Sequence, residues 1–154
     1  GAYRDGVRRL DAITRPPAVL AAAEVKQLKD RCLATGNRQF FDLAAQALGQ
    51  RRHLEIAIDL LRESLKQDPN APNALISMAV TLHIAKRYGE EIPLLRRAMT
   101  ILPADPQILR LALQAGIWGK DAALAKEAMT GIETHLPQLA PAARRFYENP
   151  PPIR

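Results

Sequence analysis

Hydrophobic side chains recur along the chain with the spacing of helix faces, and the whole pattern repeats at a fixed interval. Pro69, Pro103 and Pro137 mark this interval, and each follows a stretch with helical spacing. Since proline cannot continue a helix, each is predicted to mark a helix end. Alignment on these prolines brings small and apolar positions into register, in the groups Phe41, Leu75 and Leu109; Ala45, Ala79 and Leu113; Leu61, Leu95 and Met129; and Ser64, Ala98 and Ile132.

Each copy of this repeated pattern predicts one pair of antiparallel helices. A single pair cannot bury its own apolar face, so successive pairs must stack and share a core. Small residues such as Ala45 and Ala79 let the helices approach closely, and large ones such as Leu61 and Leu95 fill the remaining space. We therefore expect an all-α chain without a sheet, with its repeats at residues 38–71, 72–105 and 106–139.

This pattern resembles the tetratricopeptide repeat (TPR) family, in which large, small and proline positions recur at an interval of about 34 residues. The matching positions of the first repeat are Phe41, Ala44, Ala45, Leu48, Ala57, Leu61 and Pro69. Those of the second are Leu75, Met78, Ala79, Leu82, Leu95, Ala98 and Pro103, and those of the third are Leu109, Ala112, Leu113, Ala125, Met129, Ile132 and Pro137. The resemblance implies an α-solenoid of three stacked helix-turn-helix repeats with flanking capping helices.

The flanks fit the pattern less well. Residues 1–37 are predicted to form an N-terminal helical cap or a degenerate repeat, with helices at Asp5–Ile13 and Ala18–Ala34. The buried positions predicted for the second of these helices are Val19, Ala22, Ala23, Leu28 and Cys32. Residues 140–154 are predicted to form a short capping helix from Pro141 to Glu148 and a proline-rich extended tail.

Two departures from the repeat concern its second and third copies. Glu91 stands where the other copies have alanine. Gly89 is predicted to precede the helix, which puts Pro93 in the first turn and Glu90 and Glu91 at the positive end of the helix dipole. Gly116 replaces a large residue, so we expect a locally loose or bent helix there.

Composition supports the helical interpretation. The chain has 26 alanines and 21 leucines among 154 residues, but only 5% aromatic residues, which argues against a β-sandwich or barrel. No apolar run approaches the ~20 residues that a transmembrane helix needs, so we expect no membrane span in this fragment. The richness in alanine, arginine and proline suggests a GC-rich genome, and the first residue is glycine. We expect a piece of a larger bacterial protein.

The sequence carries no pattern typical of an enzyme. It has no glycine-rich phosphate loop and no nucleophile elbow, and its three histidines lie in different predicted elements. Cys32 is the only cysteine, which excludes an intrachain disulfide and favours a reducing cytoplasm, with a periplasm as the alternative. We expect Cys32 to be a core residue, and we expect no catalytic site, no metal, no cofactor and no small-molecule substrate.

The net charge of +6 leaves several partners open. Residues 38–139 carry 12 basic and 11 acidic side chains, so the excess lies at the ends. Arginine doublets recur, but base-stacking aromatic residues are scarce, so nucleic-acid binding through the flanking basic residues is a minor alternative. Exposed helix charges explain the doublets best, while an acidic protein or a membrane surface stays open. The doublets are Arg8-Arg9, Arg51-Arg52, Arg96-Arg97 and Arg144-Arg145.

The resemblance places a partner-binding groove on the first helix of each repeat. The matching positions are Gln39, Asp42, Gln46 and Gln50; Asn73, Ile76, Ser77, Val80 and His83; and Gln107, Arg110, Gln114, Ile117 and Trp118. Amides around an apolar patch suit an extended peptide. The cationic groups with which chaperone-binding members grip a terminal carboxylate are absent, since the matching positions are Asp42, Gln46, Ser77, Gln107 and Leu111.

The resulting hypothesis is a non-catalytic interaction or scaffold module that binds a protein or peptide partner. Arg110, Gln114 and Trp118 are predicted to form one stripe, because each follows the one before by about one helical turn. In the competing interpretation, Trp118 fills the junction near Gly119, and the groove is a solvated face or is filled by the protein's own tail. The alternative function is a self-associating structural unit, a homo-oligomer formed through its repeat ends.

Overall fold

The computed structural model describes residues 22–50 and 53–153, and their side chains except at 22–25, 49 and 50. Within these residues the chain forms eight α-helices and one short 3₁₀ helix at Pro137–Leu139, with no strand, which confirms the prediction of an all-α chain. The α-helices are α1 Ala22–Thr35, α2 Arg38–Gln50, α3 Leu54–Gln67, α4 Pro72–Ile84, α5 Tyr88–Ile101, α6 Pro106–Trp118, α7 Ala122–His135 and α8 Ala140–Glu148.

The helices start at regular intervals. The first residues of α2, α4, α6 and α8 are equally spaced along the chain, and α3, α5 and α7 start at the same interval from one another. The backbone repeats in the same way, because the bonds that close three successive turns run from His53 N–H to Leu48 O, from Arg87 N–H to Leu82 O and from Asp121 N–H to Gly116 O. The residues that the alignment on proline brought into register are also buried in every copy. The fold is therefore all-helical and repeat-like.

The described residues divide into two compact units, with the division between Ser77 and Met78 inside α4. In the first unit α2 packs against α3, and α1 contacts both helices. Lys29 of α1 pairs with Asp59 of α3 at 2.8 Å. The buried side chains at the centre of this unit include Leu28, Cys32, Phe41, Leu48, Ile58 and Leu61.

In the second unit each helix from α5 to α8 packs against the next, and α6 also contacts α8. Arg96 of α5 donates to Glu127 at 2.8 Å and to Asp121 at 3.2 Å, which ties α5 to the start of α7. Arg144 of α8 donates to Glu133 of α7. The buried centre includes Leu82, Leu95, Ile108, Leu109, Leu124 and Ala128.

Aspartate side chains cap two helices of the second unit. Asp105 accepts a hydrogen bond from Ile108 N–H before α6, and Asp121 accepts one from Leu124 N–H before α7, both at 3.0 Å. These bonds satisfy backbone donors that have no partner inside the helix. The bond from Leu124 N–H, with the Arg96 guanidinium beside it, lowers the pKa of Asp121 below its ordinary value.

Two local predictions are wrong. Helix α5 begins at Tyr88, so Gly89 lies inside it and Pro93 lies beyond the first turn, where it removes one hydrogen bond of the helix. Helix α6 is continuous through Gly116, which is buried and not loose. A Cβ placed on Gly116 would lie 2.6 Å from Ala125 N, so the missing side chain lets α6 and α7 approach closely.

Each described flank contains a helix where the sequence predicted one. Helix α1 covers most of the predicted Ala18–Ala34 helix, and Leu28 and Cys32 are buried as expected. Burial raises the pKa of the Cys32 thiol to about 12, so this thiol is protonated at neutral pH. Helix α8 matches the predicted capping helix, and residues 149–153 are not helical. The predicted helix at 5–13, the doublets at 8–9 and 51–52, and the predicted burial of Val19, Ala22 and Ala23 lie outside the described residues or side chains.

Candidate functional site

Four aromatic rings from four helices meet in the second unit. They belong to His83 of α4, Tyr88 of α5, Trp118 of α6 and Phe146 of α8, and we call them the aromatic cluster. The Trp118 ring lies 5.9 Å from those of His83 and Tyr88 and 5.6 Å from that of Phe146. His83 and Tyr88 meet edge to face at 5.3 Å. Such tilted and edge-to-face contacts are the geometries that aromatic pairs prefer.

A buried carboxylate holds one ring of this cluster in place. Glu91 is fully buried, and its two carboxyl oxygens lie within hydrogen-bond distance of Nδ1 of His83, at 2.9 and 3.0 Å. These contacts hold the imidazole ring in a fixed orientation. Burial raises the pKa of Glu91 more than the hydrogen bond and charge of His83 lower it. Burial, and then the charge of Glu91, raise the pKa of Tyr88.

The aromatic cluster contacts a non-helical stretch of the same chain. The indole N–H of Trp118 donates to the backbone carbonyl of Pro151 at 3.0 Å. Beside this bond lies a cavity of about 310 Å³, lined by His83, Lys86, Tyr88, Trp118, Pro151 and Pro152. Trp118 is half-buried, so its indole is neither enclosed in the core nor fully exposed to solvent.

An apolar cleft adjoins the cluster. Its volume is about 270 Å³, and Phe146 belongs to both the cleft and the cluster. The polar side chains that line it are Arg110, which is exposed, and Gln114, which is half-buried. The complete lining comes from α6, α7, the 3₁₀ helix and α8, and consists of Pro106, Arg110, Leu113, Gln114, Ile132, Leu136, Leu139, Ala142, Ala143 and Phe146.

The structure brings together part of the predicted groove in the second unit. Arg110 and Gln114 line the apolar cleft, while His83 and Trp118 meet in the aromatic cluster. Gln107 is exposed on α6 and Val80 is half-buried on α4, but neither lines the two cavities. The half-buried Ile117 does not line them either.

The other predicted positions belong to the first unit. Gln39 and Gln46 are exposed on α2, and Gln50 lies where side chains are not described. Asp42 is half-buried and accepts from Ser64 Oγ at 2.6 Å, which ties α2 to α3. On α4, Asn73 is exposed, while Ile76 and Ser77 are half-buried.

Several contributors to the site were not predicted as site residues, among them Tyr88, Glu91, Phe146 and Pro151. Phe146 was expected only as part of the capping helix from Pro141 to Glu148, and Pro151 only as part of the tail. The sequence signal that could have found Glu91 is its position, because the aligned residues Ala57 and Ala125 are apolar core positions and a carboxylate there needs a partner. His83, at the end of the preceding helix, is the partner that the structure supplies.

Among the residues described, no group of three or more His, Cys, Asp or Glu side chains is placed to hold a metal ion. No helix in the same residues has the length and apolar character needed to cross a membrane.

Comparison with known proteins gives no match, whether the chain is compared with protein-family models, with curated proteins or with solved structures.

Proposed function

We propose that this chain is a non-catalytic protein-interaction module that binds an extended peptide or partner segment. The observation that carries the proposal is the apolar cleft beside α6, where Arg110 and Gln114 stand among apolar side chains. We further propose that the module is a TPR-like α-solenoid of three stacked repeats, at residues 38–71, 72–105 and 106–139, with capping helices at either end.

Two independent regularities support the solenoid proposal. Each of the three ranges contains two helices, and equivalent helices start at one constant interval along the chain. The equivalent core positions are also buried, as Leu61, Leu95 and Met129 illustrate with exposures of 0%, 0% and 4%. Repeats of this kind bury a continuous core by stacking and present one face of their first helices to partners.

The chemistry of the cleft favours a peptide over a small molecule. Its volume of about 270 Å³ is below the usual range of small-molecule pockets, and it is open to one side, as a site for a peptide side chain would be. Gln114 offers a donor and an acceptor to a peptide backbone, and Arg110 offers five N–H donors. An extended peptide needs both kinds of contact, since its backbone is polar and its side chains fill pockets.

The test is selection of peptides from a phage-displayed random library on the immobilised full chain. Affinities of the selected peptides are then measured by fluorescence anisotropy with two variants of equal charge. Ala142→Arg places a long side chain in the cleft from the exposed face of α8, whereas Ala123→Arg introduces it on α7 away from both cavities. We expect Ala142→Arg to weaken binding about tenfold or more and Ala123→Arg to leave it unchanged.

Two results would overturn the proposal. Selected peptides that bind both variants like the wild type would place the binding surface elsewhere. A chain that enriches no peptide but forms a stable dimer, lost in Ala142→Arg, would instead favour the self-associating structural unit.

A further inference from the structure

The stretch Asn149–Ile153, which we call the proline segment, follows α8 and contains three consecutive prolines. Proline has no backbone N–H, so Pro150, Pro151 and Pro152 can only accept hydrogen bonds through their carbonyls. The indole N–H of Trp118 supplies a donor to the carbonyl of Pro151. Three rings of the aromatic cluster, those of His83, Tyr88 and Trp118, line the 310 Å³ cavity together with Pro151 and Pro152.

We propose that the aromatic cluster binds proline-rich extended segments of a partner protein, and that the chain's own proline segment occupies the site until the partner displaces it. This inference rests on the proposed function, because it names the class of peptide and the state of the site. The partner is defined by its chemistry: consecutive or closely spaced prolines in extended conformation.

The residues of the cluster match this class of ligand. Consecutive prolines favour the rigid, extended polyproline II conformation, so little conformational entropy is lost when they bind. Their apolar rings pack on flat aromatic faces, and their carbonyls need donors from the binding surface. Trp118 provides both a face and a donor, and Tyr88 and His83 provide further faces.

The proline segment can be displaced from the site at little cost. Pro150, Pro151, Pro152 and Ile153 are all exposed, so displacing them uncovers little apolar surface. They start directly after Asn149, whose N–H bonds to Arg145 O at the end of α8, so the segment reaches Trp118 within its own chain and no second copy is required. The short connection gives it an effective concentration of about millimolar, against which a partner must compete.

The experiment measures competition between the internal segment and an added one. The probe is a fluorescein-labelled synthetic peptide with the sequence of residues 147–153, and the control peptide has alanine in place of its three prolines. The full chain is compared with a triple variant, Pro150→Gly, Pro151→Gly and Pro152→Gly, whose substituted positions are exposed. Trp118→Phe in the triple variant keeps a ring but removes the indole donor. Thermal unfolding monitors the fold of every variant.

We expect the triple variant to bind the proline probe about tenfold or more tightly than the wild type does, because the internal competitor is weakened. The alanine peptide should bind at least about tenfold less tightly than the proline probe, and Trp118→Phe should weaken probe binding by a similar factor.

Four results would overturn the inference. Equal probe affinity for the wild type and the triple variant would show that the segment does not occupy the site. Equal affinity for the two peptides would show that the site does not select proline. Wild-type dimers that dissociate in the triple variant would make a second copy the occupant. In the fourth result, Ala142→Arg still weakens the binding of library-selected peptides, but no variant binds the proline probe. This result would overturn the inference and leave the proposed function standing.

Discussion

At the scale of single residues, Glu91 is the most unusual side chain, because it is a carboxylate with no exposed surface in an otherwise apolar layer. Its pKa lies above the ordinary value of 4.5, since burial outweighs the favourable contact with His83. The folded state therefore holds the carboxyl proton more tightly than the unfolded chain does. The resulting stability is fully present below the ordinary pKa and is lost as pH rises through the folded-state pKa.

Glu91→Gln removes this titration, so the stability of the wild type relative to the variant should fall as pH rises from below 4.5 towards neutrality. Urea unfolding at a series of pH values measures the difference. His83 and Tyr88 face the carboxyl and are the same in both proteins. Glu90→Gln, at the neighbouring position, is the control: it breaks an exposed ion pair with Arg87 and should change stability by less than ~1 kcal/mol. If the stability of the wild type relative to Glu91→Gln instead rises with pH, the interpretation is wrong.

Two lysines adopt a backbone conformation that favours glycine. Lys86 and Lys120 have φ of 59° and 58°, and each lies in the turn between two helices. Lys120→Gly should raise the free energy of unfolding by about 0.5–1 kcal/mol. The substitution removes the energetic cost of a left-handed lysine, and part of this gain is lost because glycine makes the unfolded chain more flexible. Lys126→Gly, at an exposed position within α7, should lower it by about 1 kcal/mol. Thermal unfolding that shifts both variants in the same direction would contradict this.

Residue-level detail was the hardest to predict from sequence. The departure of Glu91 from the repeat was visible, but the spacing suggested a charged helix start, because sequence shows charge and not burial. The pairing with His83 depends on how α5 lies against the end of α4. Trp118 and His83 were placed on the candidate surface, but the contact of Trp118 with Pro151 joins residues 33 positions apart that no periodic pattern connects.

At the scale of helices, Gly116 decides how closely α6 and α7 approach. A Cβ at this position would lie 2.6 Å from Ala125 N and 2.9 Å from Ala125 Cα, and these backbone atoms cannot move aside without shifting α7. Gly116→Ala should therefore destabilise the fold by about 1–3 kcal/mol, as overpacking does.

Gly89→Ala is the matched control, because a Cβ at Gly89 meets nothing within 4 Å. It should leave stability unchanged or raise it by up to about 1 kcal/mol, since alanine favours the helix. Urea unfolding of both variants measures the contrast. A Gly116→Ala protein as stable as the wild type would show that α6 and α7 are not in close contact.

Helix positions followed from the sequence more reliably than helix contacts. The repeat interval placed two helices in each predicted range because it combines proline punctuation with buried positions. The start of α5 was misplaced because glycine and proline near a helix start suggested a later beginning. Gly116 was misinterpreted because a missing side chain indicates either looseness or close approach, and only the neighbouring helix distinguishes the two.

At the scale of the whole chain, charge argues against nucleic acid as the main partner. Residues 38–139 carry nearly equal numbers of basic and acidic groups. Arg96 and Arg144 are also engaged with carboxylates in the second unit. We expect weak binding of a single-stranded oligonucleotide that disappears by ~200 mM salt, because phosphate contacts weaken steeply with ionic strength. Anisotropy measured across a salt series tests this, and tight binding at the upper end would contradict it.

The fold class and the candidate surface were thus predictable to different degrees. Periodicity and composition determine the all-helical class, since both report which residues are buried. The resemblance to the TPR family predicted that Arg110, Gln114, Trp118 and His83 lie on one partner-binding face. None of these could supply the roles of Phe146 and Pro151, which depend on how α8 packs and where the chain runs after it.

The central claim is that Trp118 lies where peptide segments dock. The chain has one tryptophan, so an ¹⁵N-labelled sample gives a single indole N–H resonance. Titration of the full chain with a library-selected peptide, followed through this resonance, tests the claim most directly. We predict that the resonance moves to a new position as the peptide saturates the protein, because Trp118 adjoins the apolar cleft through Phe146 and bonds to the proline segment. A peptide that saturates the protein and leaves the indole resonance in place would contradict the account.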